Sequence, residues 1–316
     1  MPPLVSISCI TYNHAPYIRQ CFEGFLKQET DFLFEIVIHD DASTDGTKEI
    51  IEEYRDKYPY IFFPIIQKEN QYSKGIRGFT AKYNFPRCRG KYIALCEGDD
   101  YWTDPNKLQK QIDFLEQNSE YVLTSHDAVI VNETGELISD SKLTENYKTD
   151  YDSTELKQSS FVLTLTMCFK NIPIFKNMPN EFYKVDNGDS FLISMLGQYG
   201  KHKFMSTIQP AVYRIHANGV WSMISEVEKN KKKINTLFQL RNYYSRLRDK
   251  KMEIYYGKII ALISTKLLLN SFKEKHSTKN KIRTLYFYFI YNRILLNPVA
   301  YFKRLRFLKR KRTLTN

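Results

Sequence analysis

Through the first half of the chain, short apolar runs alternate with segments whose apolar residues recur every three or four positions. That pattern predicts β-α units around a mostly parallel sheet. LVSISCI (4–10) reads as a buried strand, and the helix predicted over about 17–28 puts Ile18, Cys21, Phe22, Phe25 and Leu26 on one stripe. EIVIH (35–39) is a second strand, followed by a helix with Ile50, Ile51, Tyr54 and Tyr58 inward. IFFPII (61–66) is a third, expected near a sheet edge because Pro64 has no N–H for a central ladder. KYIALC (91–96) is another central strand and runs directly into EGDDYW. The helix after it is expected to take Asp104 as N-cap and Pro105 as its first residue, with Leu108, Ile112 and Leu115 facing the core.

YVLTS and DAVIVN (121–132) resemble strands, whereas 139–160 is polar, charged and aperiodic and predicts a long mobile loop. FVLTLTMCF (161–169) resumes strand character. A helix over about 189–198 buries Phe191, Leu192, Met195 and Leu196, and KFMSTI and AVYRI supply the last strand candidates. Beyond Glu226 the pattern turns helical and basic without an internal repeat. The expected organisation is a nucleotide-binding α/β domain over 1–226 and a basic helical extension over 227–316.

Composition alters this picture chiefly through charge. The 316 residues carry a formal net charge of +12, which alone suggests a nucleic-acid partner. Its distribution says otherwise: residues 1–228 hold 23 Lys and Arg against 32 Asp and Glu, while 229–316 hold 24 against 3. An acidic body suits a cation site, and a basic end suits an anionic surface. Apolar residues at 42% and charged residues at 26% are ordinary for a folded protein, so extended disorder is not expected. Cys9, Cys21, Cys88, Cys96 and Cys168 show no paired spacing and read as core thiols. MPPLVSISCITYN lacks the basic start and apolar run of a secretory signal, and no run approaches 18 apolar residues. A reducing cytosol is the expected compartment.

Three carboxylate groups fall at strand or helix ends, where open α/β sheets bind ligands. Asp40 and Asp41 stand in HDDASTDGT, whose residue types also suit a plain turn. Glu97, Asp99 and Asp100 follow an apolar strand. Such crowded carboxylates repel one another unless a cation lies between them, and Mg²⁺ or Mn²⁺ favours oxygen ligands; an exposed acidic turn is the alternative. In VDNGDSFL, Asp186 or Asp189 opens a helix, a common capping arrangement.

The order of VSISCITYNH, EIVIHDDASTDGT, RGKYIALCEGDDYWTDPNKL, NGDSFL and YRIHANGVWS resembles the family 2 glycosyltransferases, over roughly residues 4–225. The resemblance implies the GT-A fold, a nucleotide-sugar donor, a divalent metal (Mn²⁺ or Mg²⁺) and inverting sugar transfer. By it, Thr11, Tyr12 and Asn13 lie against the nucleoside and Asp40 and Asp41 hold the base, with Asp41 favouring uridine. The family's Asp-x-Asp motif appears as Glu97-Gly98-Asp99 followed by Asp100. Asp99 is expected to contact the ribose and the metal, and Asp100 to be the stronger metal ligand at an exposed strand end. Lys74, Arg77 and Asn84 lie in the donor-contacting segment, with Arg77 retained as a nucleotide contact. Asp189 matches the catalytic base, Asp186 is a lesser candidate, and His216 lies where some relatives contact metal or phosphate. Trp102 could stack on an acceptor sugar or pack in the core, and Trp221 could cover the donor or pack.

The expected acceptor is a saccharide or lipid-linked sugar in cell-surface polysaccharide or glycolipid assembly. The alternatives are a catalytically silent nucleotide-sugar binding protein, in view of Glu97, and a nucleotidyltransferase. In the extension, a helix starting near Asn297 and Pro298 aligns Tyr301, Phe302, Leu305 and Leu308, and seven of the ten residues 303–312 are Lys or Arg. Aromatic and aliphatic residues beside dense positive charge describe an interfacial helix on anionic lipid, so peripheral attachment to the inner face of the cytoplasmic membrane is expected and nucleic acid is not.

Overall fold

The computed structural model describes residues 2–217, 219 and 224–273. By its backbone contacts the chain divides into two compact units, Met1–Ile224 and Ser225–Asn316. The first unit runs β1 (Val5–Thr11), α1 (Ile18–Leu26), β2 (Phe34–Asp40), α2 (Thr47–Lys57), β3 (Phe62–Ile66), β4 (Tyr92–Glu97), α3 (Lys107–Gln117), β5 (Tyr121–Ser125), β6 (Ala128–Val131), β7 (Leu137–Ser139), α4 (Ser153–Lys157), β8 (Cys168–Lys170), α5 (Gly188–Leu196), β9 (Lys201–Phe204) and β10 (Ala211–Arg214). Its seven-stranded sheet has the order β3-β2-β1-β4-β8-β5-β9, and a three-stranded sheet has the order β10-β6-β7. Within the large sheet only β8 is antiparallel to its neighbours. The α/β architecture with a mostly parallel sheet is the one the alternating pattern predicts, and β3 with Pro64 does lie at an edge.

The apolar runs of β1, β2 and β4 are buried along nearly their whole length, as strands covered on both faces must be. Ile18, Cys21, Phe22 and Phe25 of α1 and Leu108, Ile112 and Leu115 of α3 join Val5, Ile7, Ile36, Ile38 and Ala94 in one core. All five cysteines are buried and free. A buried polar knot fixes the entry to β4. Ser6 donates to Glu35 at 2.7 Å, the Arg89 amide donates to the same carboxylate at 2.7 Å, and the Gly90 amide donates to Ser6 Oγ at 2.8 Å. Gly90 passes so close to β1 that a methyl group there would stand 2.6 Å from the Ser6 nitrogen.

Three expectations are corrected. α3 begins at Lys107 with Asn106 at its N-cap, two residues later than Asp104 and Pro105 suggest. The Asp104 carboxylate instead accepts from the amides of Asn106 (2.9 Å) and Gln209 (3.0 Å) and pairs with Lys110, so it ties a turn to a distant loop. The 139–160 segment is not a structureless loop. Asp152 and Glu155 form a reciprocal capping box that starts α4, and the buried Leu143 and Leu156 anchor the segment to the core. Of 161–169 only the end is strand, because Thr164–Thr166 makes a 3₁₀ turn.

The second unit contains α6 (Glu226–Arg246), whose N-cap Ser225 accepts the Glu228 amide, and α7 (Lys250–Lys273). Tyr244 and Tyr256 stack between these two helices at 5.8 Å, and Arg241 pairs with Glu253 at 3.4 Å. No helix among the described residues is long and apolar enough to cross a membrane. The basic helix expected from residue 297 lies outside the described residues.

The backbone contact at Gly90 generates a stability test. Gly90→Ala forces main chain apart rather than a flexible side chain, and should cost about 1–3 kcal/mol, the range for overpacking a core. Urea unfolding should show a lower midpoint at unchanged slope; a wild-type midpoint would mean that β1 and β4 separate freely there.

Candidate functional site

The carboxyl ends of β1, β2 and β4 finish level. Thr11 is in register with Asp40, and Ile10 with Glu97. Beyond β1 the chain turns sharply at Asn13, whose backbone is left-handed at φ 55°, a conformation Asn tolerates better than most residues. Asn13 Oδ1 accepts the Thr44 amide at 2.8 Å, and the His14 amide donates to Thr47 Oγ1 at 2.8 Å. Asp45 accepts the amides of Ala15 and Thr47, each at 3.0 Å. The polar residues of TYNHA and HDDASTDGT therefore stitch two loops together.

The buried Asp40 accepts the Ser43 amide at 3.1 Å and the Ser43 hydroxyl, and burial raises its pKa. Asp41 accepts the amides of Gln71 (2.8 Å) and Tyr72 (3.0 Å), drawing the 69–77 segment over the strand ends. In that segment Arg77 stacks on Tyr72 at 4.1 Å and donates to the carbonyl of Ile76 at 2.8 Å. Thr11, Tyr12, Asn13, Asp40, Asp41 and Arg77 thus belong to one rim. The Tyr12 ring is largely open to solvent, and the buried Thr11 hydroxyl has no hydrogen-bond partner among the described residues. Lys74 pairs with Glu69 on the exposed side of the loop. Asn84, expected in a donor-contacting loop, is fully buried, and its Nδ2 donates to Ser8 Oγ, Cys9 O and Val37 O.

The acidic motif leaves β4 at Glu97 and crosses directly under the β1 loop. A methyl group on Gly98 would lie 2.8 Å from Thr11 Oγ1 and 3.1 Å from His14 Nδ1, so a side chain there would close the passage. Asp99 Oδ2 lies 3.0 Å from His216 Nε2 and 3.7 Å from His14 Nε2. Burial works to raise the Asp99 pKa, but the His216 hydrogen bond and the two imidazoles outweigh it and hold the carboxyl below its usual range. Burial also lowers the His14 pKa, against the pull of Asp99, and so favours the neutral ring that can ligate a metal. Among the described residues, His14, Asp99 and His216 form a cluster able to hold a metal ion. Carboxylate and imidazole donors at this spacing fit a divalent cation such as Mn²⁺.

Asp100 does not stand at an exposed strand end, as the sequence suggests. It is buried, accepts the Arg214 amide at 2.9 Å, and has its pKa pushed well up by burial and by the charges of Asp99 and Glu97. Burial and the charges of Asp99 and Asp189 likewise raise Glu97. Asp189 is thus one of the charges that act on Glu97. It is the second residue of α5, with Asn187 rather than Asp189 at the N-cap, and it accepts the Ser190 amide at 2.7 Å. Burial raises the Asp189 pKa. Asp186 is exposed outside the helix. Trp102 resolves toward the core: it is buried, donates to Leu165 O at 2.7 Å and packs on Phe25 at 4.9 Å. Trp221 lies outside the described residues.

Sequence reasoning missed two residues here, His14 and Arg214. The buried Arg214 guanidinium donates to Asp99 O (3.2 Å), to the carbonyls of Asn132 and Glu133, and to Gln20 Oε1 (2.6 Å), and lies over the Tyr17 ring at 4.8 Å. The signal was present in YRIH, which sets Arg214 at the end of β10 two residues before His216. For His14 the sequence offered only one histidine beside a nucleoside-type motif.

Residues 6–176 match the model of glycosyl transferase family 2. The chain is 35% identical over 220 residues to the uncharacterized protein Rv1520 of Mycobacterium tuberculosis, a match covering 69% of this chain and 60% of that relative. It therefore spans less than two thirds of the relative's length. Staphylococcus aureus TarS 1-349 in complex with UDP-GlcNAc superposes with a TM-score of 0.54 over 92% of this chain and 73% of that one, at 17% identity. The mannosyltransferase PcManGT from Pyrobaculum calidifontis, in complex with GDP-Man and Mn²⁺, gives 0.54 over 90% and 79%, at 16% identity. At such identities the likeness is one of fold, and it agrees with the GT-A arrangement of the first unit. With its model matched over more than half of the sequence, the chain belongs to glycosyltransferase family 2.

Proposed function

We propose that this chain transfers a sugar from a nucleotide-sugar, with UDP favoured, to a hydroxyl of a saccharide or lipid-linked acceptor, inverting the anomeric centre with the help of Mn²⁺ or Mg²⁺. Its place would be the assembly of a cell-surface polysaccharide or glycolipid. The observations that carry this reading are the Thr11–Asp41 rim at the level strand ends, the His14, Asp99 and His216 cluster beside it, and Asp189 at the start of α5, whose charge bears on Glu97.

In this reading Thr11, Tyr12, Asn13, Asp40, Asp41 and Arg77 receive the nucleoside, the unpartnered Thr11 hydroxyl being free to accept or donate. The metal, held by Asp99 and His216, supplies positive charge against the departing diphosphate when bound. Asp100 serves beside it by fixing the position of β10 through the Arg214 amide. Asp189 takes the proton of the acceptor hydroxyl as that oxygen bonds to the anomeric carbon. The bond to the diphosphate oxygen breaks on the opposite face, and the nucleoside diphosphate leaves. One displacement with one base gives inversion. Anionic lipid is the proposed resting surface, through the basic residues 303–312.

Three outcomes test the proposal. Asp189→Asn removes the proton acceptor at nearly constant size, so transfer should fall by about 10² to 10⁴ while donor affinity holds and Asp186→Asn changes little. Full activity of Asp189→Asn in a Mn²⁺-supplemented transfer assay would move the base elsewhere. Asp189 must be ionised to act, and burial raises its pKa. Turnover should therefore be lost on acidification through a value above the ordinary aspartate pKa of about 3.9, an acid limb that a kcat profile would locate. Truncation after residue 296 should release the protein from anionic vesicles and spare transfer to a soluble acceptor, since each basic residue near such a surface contributes about 1 kcal/mol. Retained vesicle binding would remove the membrane assignment.

A further inference from the structure

We infer that His14 is a third protein ligand of the metal, so that a set of two imidazoles and one carboxylate captures the ion before the donor arrives and prefers Mn²⁺ to Mg²⁺. The inference rests on the metal-dependent reading of the site and specifies which ion it takes and when.

Among the described residues the His14 ring makes no hydrogen bond. A buried histidine normally satisfies its ring nitrogens by hydrogen bonding. Here Nδ1 is buried without a partner among the described residues, and Nε2, at 3.7 Å from Asp99 Oδ2, is beyond hydrogen-bonding reach. The ring is nonetheless held firmly. The left-handed turn at Asn13 aims it, the His14 amide is fixed to Thr47, and its carbonyl accepts the amides of Tyr17 and Ile18 at 2.9 Å as α1 begins. It stands edge-on to His216, with ring centroids 5.8 Å apart at 89°. An imidazole positioned in this way, with no hydrogen bond from its ring among the described residues, suits a metal ligand.

The spacing agrees. The ligand atoms of His14, Asp99 and His216 all lie within 4.8 Å of one another, two of the separations being 3.0 and 3.7 Å. Ligands about 2.1 Å from one ion and at right angles to each other stand roughly 3 Å apart. Small side-chain shifts therefore close the set. The three ligands come from the loop after β1, the loop after β4 and the chain beyond β10, so the folded protein assembles them without a substrate. Mg²⁺ prefers oxygen and is usually held by one or two carboxylates plus substrate phosphates, whereas imidazole ligands favour transition metals. Two histidines with one carboxylate thus bind Mn²⁺ directly and leave the remaining coordination positions for water and then diphosphate.

The test uses the full chain without nucleotide. Titration with Mn²⁺, followed by the EPR signal of the free ion, should show stoichiometric uptake, and Mg²⁺ in roughly tenfold excess should not displace the bound ion. Pulsed EPR of the bound Mn²⁺ should report two imidazole nitrogens in the wild type and one in His14→Gln. The variant's Mn²⁺ affinity should fall at least about tenfold, with a metal-free melting temperature matching the wild type. A single nitrogen in the wild type, or binding only after a nucleoside diphosphate is added, overturns the proposal, and the wild-type spectrum decides this even if the variant misfolds. Sugar transfer that needs Mn²⁺ alongside a single nitrogen would refute the role of His14 and leave glycosyl transfer standing. Two nitrogens in a protein that turns over no nucleotide-sugar would do the reverse.

Discussion

A guanidinium buried without a carboxylate partner among the described residues holds the site together. Arg214 reaches the acidic loop through Asp99 O, the loop after β6 through Asn132 and Glu133, and α1 through Gln20, while its own amide secures Asp100. Burying such a charge is costly unless its donors are satisfied, and here carbonyl dipoles and one amide oxygen do so while two tyrosine faces lie beside it. Next to it Tyr101 and Val212 exchange main-chain hydrogen bonds at 2.9 and 3.2 Å, joining the segment after β4 to β10. These bonds fix where the chain beyond β10 runs, and hence where His216 stands relative to Asp99. The small sheet is thereby joined to the edge of the large sheet that carries the candidate site.

The loops at that edge divide their polar groups between construction and display. Asn13, Asp45 and Thr47 spend side-chain atoms bonding one loop to another, Asp40 closes its own loop onto Ser43, and Asp41 spends both carboxylate oxygens on the 69–77 segment. Among the described residues the Thr11 hydroxyl and His14 Nδ1 make no hydrogen bond, and Tyr12 is exposed. A motif in which most members are structural can still specify a binding site, because the structural members determine where the few free groups point.

This division explains what could and could not be read from the chain. The buried strands and the stripes of α1, α3 and α5 were legible because burial on a periodic element leaves a periodic record. Runs such as 161–169 misled because apolar content alone does not distinguish strand from a 3₁₀ turn whose Leu165 carbonyl serves Trp102. Asp104 was misplaced because a carboxylate before a proline suits a helix cap and a cross-loop tie equally well. That the acidic pair should sit at a strand end was legible; which of Asp99 and Asp100 faces the two imidazoles was not. Adjacent residues point to opposite sides, and the partner that settles the matter is Arg214, more than a hundred positions away. His14 was hidden for the same reason, since its meaning lies in its neighbours from β4 and β10.

The segment over 139–160 has a consequence for how the open sheet ends. Tyr151 bridges His202 with paired main-chain hydrogen bonds at 3.2 and 2.9 Å, and Asp150 takes the Phe204 amide and the Lys203 ammonium. The outer side of β9 is thus occupied by the protein's own chain, as the far edge at β3 is interrupted by Pro64. An unpaired strand edge is a template on which a second copy of the same sequence can add and polymerise. With one margin of the large sheet covered and the hydrogen-bonding rhythm of the other broken, that sheet offers little template for a further strand, and a stretch that looks expendable in the sequence supplies the cover.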